Sequence, residues 1–131
     1  MSMEMYNRSK VRYKNAKDNV KNASAGGKLS DAFLDTACFD TQQAIEFILK
    51  AVLMQKEVRF EKEHDILYLL SLIEDSGFTF ERIDELKLLA ATITSWEEKA
   101  RYSTGIKTKE HTIYRVLNIY DEIEKALLKL L

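Results

Sequence analysis

The stretch Ala37-Cys38-Phe39-Asp40-Thr41-Gln42-Gln43-Ala44-Ile45-Glu46-Phe47-Ile48-Leu49-Lys50-Ala51-Val52-Leu53 decides the fold. No glycine or proline interrupts it. At about 100° per residue, Ala37, Cys38, Thr41, Ala44, Ile45, Ile48, Leu49 and Val52 share one arc of about 140°. That arc is the core face of a helix. The other side carries Phe39, Gln43, Glu46, Phe47, Lys50 and Met54, and an ordinary surface helix does not turn two phenylalanines and a methionine to water. Two arrangements satisfy this pattern: the central helix of a bundle, or a helix whose outer face a second subunit covers. Gln43, Glu46 and Lys50 form a polar stripe at i, i+3, i+7 spacing. It reads either as an i, i+4 Glu46–Lys50 pair, stabilising by about 0.2–0.5 kcal/mol, or as part of a dimer cleft or ligand site.

The helical period continues on both sides. A first helix is expected from about Glu4 to Asn22, with Tyr6, Tyr13, Ala16, Val20 and Ala23 at helical spacing and Ser24-Ala25-Gly26-Gly27 as its stop. Ser30 or Asp31 caps the second, which runs to about Lys56. After the charged connector 57–63, a short third helix spans about Asp65 to Ser76 and is closed by Gly77. His64 anchors the connector and Asp65 caps that helix. A fourth helix covers about Glu81 to Arg101. Ser103-Thr104-Gly105 breaks the chain, Thr108 caps, and a fifth helix runs from Lys109 to Leu130. Its Val116, Ile119, Tyr120, Ile123, Leu127 and Leu130 point inward, with His111, Arg115, Asn118 and Glu122 on the other side. The expected fold is all-α: an antiparallel up-and-down helical bundle of four long helices plus one short helix, a single domain over 1–131.

Composition agrees. The chain has 131 residues, of which 46% are hydrophobic and 31% charged, enough for one buried core and unlike a disordered tail. With no proline and four glycines, a turn-rich all-β fold lacks its turn residues. The single Cys38 rules out an internal disulfide and a cysteine zinc cage, so a reducing cytoplasm is the simplest setting. No apolar run approaches the roughly 20 residues of a membrane span, and Met1-Ser2-Met3-Glu4-Met5 lacks the layout of a signal peptide. The net charge of −1 hides an asymmetry. Residues 1–28 hold seven basic groups against two acids, while the remainder is acidic. Such a basic segment suits a polyanion, an acidic partner, its own acidic body, or plain solvation.

Several standard sites are missing: there is no phosphate-binding glycine loop, no His-Glu-x-x-His and no calcium loop. The two histidines lack zinc-ligand spacing, and Cys38 sits on the apolar arc as a small hydrophobe. No metal or cofactor is expected. What remains is a cationic cluster at the last turn: Arg101, Tyr102, Lys107 and His111. A short loop between antiparallel helices would join those ends, and a helix amino terminus beside Arg and Lys attracts phosphate. Arg101 and His111 are also chemically sufficient for metal-independent RNA cleavage, with His111 moving a proton and Arg101 stabilising charge. The plainer alternative is that Arg101 bonds helix-end carbonyls and His111 is an exposed first-turn residue.

The segment 37–53 resembles the second helix of HEPN domains (higher eukaryotes and prokaryotes nucleotide-binding), with Gln42-Gln43-Ala44, Glu46 and Leu49-Lys50-Ala51 in the family's order. His64-Asp65-Ile66 followed by Leu69-Leu70 is similar to the family's His-Asp-Leu element. Ala100-Arg101-Tyr102 is similar to its Arg-Tyr element before the final helix. Order and spacing agree from about Tyr13 to Leu128. The resemblance implies a helical bundle that pairs as a homodimer with its functional cleft at the interface. It also implies, for small prokaryotic members, a separate nucleotidyltransferase protein as partner in a toxin–antitoxin pair. Nuclease members hold their Arg and His closer in sequence than Arg101 and His111 stand here. The expected function is a homodimeric module binding a nucleotide, RNA or such a partner, through Gln43, Glu46, Lys50, Arg101, Tyr102, Lys107 and His111. The alternatives are a metal-independent ribonuclease using Arg101 and His111, or a purely structural helical interaction module.

Overall fold

A computed structural model describes residues 3–27, 30–62, 64–101 and 110–131, with the side chains of 97–101 outside the described set. Five helices follow in order: α1 (Glu4–Ser24), α2 (Ser30–Gln55), α3 (Ile66–Asp75), α4 (Ile83–Arg101) and α5 (Glu110–Leu130). No strand occurs among the described residues. The expected all-α bundle of four long helices and one short one is what the chain forms. Thr108, the expected cap of the last helix, lies outside the described residues.

The eight residues assigned to the core arc of α2 are all fully buried. α2 touches α1, α3, α4 and α5, so of the two arrangements open to it the central position is realised. Its second face is covered largely by the chain itself: Gln43, Glu46 and Lys50 are buried, and Phe39, Phe47 and Met54 are half-buried. Arg12 of α1 lies over the Phe39 ring at 5.6 Å. The same arginine bonds the buried Asp40 at 3.0 Å, with Asn19 adding a second bond at 3.2 Å. Burial pushes the Asp40 carboxyl above its ordinary value, against the opposing pull of Arg12.

α5 closes the bundle onto α1. Tyr6 Oη donates to Glu124 at 2.9 Å, Tyr13 Oη to Asp121 at 2.7 Å, and the Ser9 and Tyr120 hydroxyls share a bond of 2.8 Å. The Tyr13 and Tyr120 rings stack with centroids 4.5 Å apart. Burial, reinforced by Glu124, pushes Tyr6 up to about 12. The inward face of α5 is as expected except at its end. Leu130, in the last turn of α5, is 37% exposed, while Ile113 and Leu117 are buried.

Two helix boundaries have informative causes. α3 ends at Asp75 and is closed by Gly77, whose φ of +84° lets Phe78 N–H bond Ile73 O. α2 ends the same way without a glycine: Glu57 takes a φ of +57° and Val58 N–H bonds Leu53 O at 2.9 Å. α4 starts at Ile83 and not Glu81, because Arg82 adopts a φ of +72° and forms a turn first.

Candidate functional site

The polar stripe of α2 converges on one carboxylate. Glu46, 1% exposed, receives Gln42 Nε2 at 2.8 Å and the His64 ring Nδ1 at 2.9 Å on Oε1, and Lys50 Nζ at 2.7 Å on Oε2. Gln43 Nε2 in turn donates to Gln42 Oε1 at 2.8 Å. Lys50 also lies 6.0 Å from the Phe60 ring. A buried charge needs this density of donors, since desolvating it alone would cost several kcal/mol. The expected Glu46–Lys50 pair is present, enlarged by two residues that the stripe did not include. Gln42 was legible as the i−4 neighbour of Glu46. His64 was not, because 18 residues and a chain reversal separate the pair.

His64 reaches this carboxylate from the connector between α2 and α3, and its side chain remains 62% exposed. It therefore clips the connector to α2, the anchoring role expected of it. Asp65 caps α3 as expected, accepting Leu67 N–H at 3.0 Å. Ile66 N–H is taken by Thr94 Oγ1 of α4 at 3.1 Å. With these bonds, the α2 stripe and the His-Asp element become one supporting unit that joins α2, α3 and α4.

Most of the cationic cluster lies outside the described residues. Arg101 is the last residue of α4, its side chain outside the described set, and Tyr102 and Lys107 also lie outside the described residues. His111, the second residue of α5, is exposed, and its side chain makes no hydrogen bond or ion pair among the described residues. One turn on, Arg115 donates to Glu85 at 2.7 and 2.9 Å. Glu85 also takes a two-pronged contact from Arg82 at 2.8 and 3.0 Å. Arg82 first and Arg115 second hold the Glu85 carboxyl down at about 2. The ion pair joining α4 to α5 thus falls at the first turn of α4, about 24 Å along the helix axis from Arg101.

Other features bound the chemistry. Among the described residues, no group of three His, Cys, Asp or Glu side chains is arranged to hold a metal ion, and no helix is long and apolar enough to cross a membrane. A groove of about 820 Å³ lies along α1, lined by Arg8, Val11, Arg12 and Phe47 among others. In comparisons with known proteins, the HEPN domain family model matches residues 9–130. No curated protein and no solved structure matches.

Proposed function

Because the chain belongs to the HEPN domain family, whose members have nucleotide- or RNA-related functions, we propose that it is a homodimeric binding module. Its ligand is a nucleotide or RNA, or it docks a separate nucleotidyltransferase protein as half of a toxin–antitoxin pair. One observation carries the reading. Of the two histidines, His64 is committed to Glu46, while His111 stands exposed and unpartnered among the described residues at the start of α5. Gln42, Gln43, Glu46 and Lys50 are buried and joined in one chain of hydrogen bonds. This supports ligand contact at the α4–α5 end, where Arg101 and Lys107 would supply positive charge, His111 an imidazole and Tyr102 a ring.

Isothermal titration calorimetry with ATP, and with a short single-stranded RNA, tests this. Arg101→Ala is expected to weaken binding at least about tenfold, the worth of one charge-assisted hydrogen bond. Absence of heat with both probes would leave only the protein-partner version, for which co-purification with a nucleotidyltransferase is the measure.

The same free imidazole favours a second reading, metal-independent RNA cleavage, in which His111 moves the proton and Arg101 stabilises charge. That version requires cleavage that survives a chelator and disappears in His111→Ala. Cleavage unchanged in that variant removes it.

A further inference from the structure

We propose that α1 carries a docking track for the phosphate backbone of single-stranded RNA, formed by Lys10, Lys14, Lys17 and Lys21 with Tyr114 of α5 beside it. The proposal rests on the RNA version of the reading above and assigns it a surface apart from Arg101 and His111. The four lysines recur at i, i+4, i+7 and i+11. They therefore fall within an arc of about 60° and form a row about 16 Å long. All four are exposed, and none forms an ion pair among the described residues.

The surroundings keep the row open and positive. Lys10 lies over the Tyr6 ring at 5.2 Å and Lys17 over the Tyr13 ring at 4.7 Å, contacts that hold the ammonium groups without neutralising them. The acids of α5 that face α1 each accept a hydroxyl bond, Glu124 from Tyr6, Asp121 from Tyr13 and Glu110 from Ser24, and of these Asp121 also attracts Lys17. Asp18 stands on the flank of the row, about 40° round the helix from Lys14. The Tyr13 hydroxyl first, against some burial, with Asp121 and Tyr114 adding to it, raises Lys17 above its ordinary value.

Tyr114 makes single-stranded nucleic acid the fitting occupant. It lies seven residues before Asp121, on the same face of α5, and the residue is 41% exposed. A basic row tracks phosphates, and an adjoining exposed ring offers an unstacked base a platform. A membrane surface would instead call for bulky apolar side chains next to the lysines. Here the flanking rings are tied down by hydroxyl bonds.

The test is fluorescence anisotropy of the full chain with an oligouridine of about 12 nucleotides, repeated across salt concentrations. Four phosphate contacts on a single strand give a slope of log affinity on log salt of about −2.8, and Lys14→Gln combined with Lys21→Gln should flatten it by about 1.4. Both substitutions are on the surface, so the thermal melt should not move. Tyr114→Ala should weaken binding about tenfold with the slope unaltered. An unchanged slope in the double lysine variant overturns the proposal, as does equal competition by polyglutamate. Arg101→Ala separates the two sites. Binding lost there, with the lysine variant normal, removes the track and leaves the module reading standing. The reverse pattern supports the track and takes the ligand away from Arg101. A chain that binds ATP but not oligouridine overturns the track alone.

Discussion

Removing the Glu46 carboxylate strands two buried donors at once. Glu46→Ala leaves Lys50 buried without its anion and Gln42 without its acceptor, and is expected to destabilise by about 3–5 kcal/mol in urea melts. His64→Ala is expected to cost about 1 kcal/mol or less, because the imidazole is mostly in water. Its signature is faster amide exchange in residues 57–65 with nearly unchanged global stability. Glu46→Ala unfolding at the wild-type midpoint would show that the cluster contributes nothing. At Glu85 the prediction is one of pH. Its folded value of about 2 lies below the usual 4.5, so its stabilisation is complete above about 4.5 and fades as pH falls toward 2. Glu85→Gln should therefore lower stability by about 1 kcal/mol at neutral pH and show a shallower acid limb, meeting the wild type near pH 2. Parallel curves would contradict this. At this scale the sequence disclosed pairs within one helix, such as Glu46 with Lys50. It did not disclose Glu46 with His64 or Glu85 with Arg115, whose meeting depends on how separate helices cross.

Helices and their limits were far more legible. Periodicity located all five within a few residues, since 3.6-residue repeats of apolar side chains survive any tertiary arrangement. Stops were visible where a glycine marked them, as at Gly77, and invisible where another residue took the same backbone shape. Glu57 closes α2 in the left-handed region at φ +57°, which is unfavourable by about 1 kcal/mol for a residue with a side chain. Glu57→Gly should raise the unfolding free energy by about that amount, read as a higher urea midpoint. Gly77→Ala, where an added methyl meets nothing within 4 Å, should lower it equally through backbone strain alone. Opposite signs from the two variants are the expected result, and a destabilised Glu57→Gly would mean that the Glu57 side chain matters more than its backbone.

For the molecule as a whole, apolar periodicity says that a helix face must be covered but not by what. The second face of α2 required a neighbour, and α1 with the connector supplies most of it. Phe39, Phe47 and Met54 nonetheless stay half-buried, and Val11 beside the α1 groove is 60% exposed. If the proposed homodimer uses this surface, Phe47→Glu should convert dimer to monomer in light scattering, at little cost to the single chain. A dimer unaffected by that change pairs elsewhere. The bonds of α1 to α5 have a separate consequence, for the order of folding. Tyr6, Ser9 and Tyr13 meet partners 118, 111 and 108 residues downstream, and contacts closing such long loops form late. The α1–α2 hairpin, joined by a short turn, can collapse early and wait with its tyrosines unmatched. The seam where α5 settles on α1 is then the last to shut and the first to loosen.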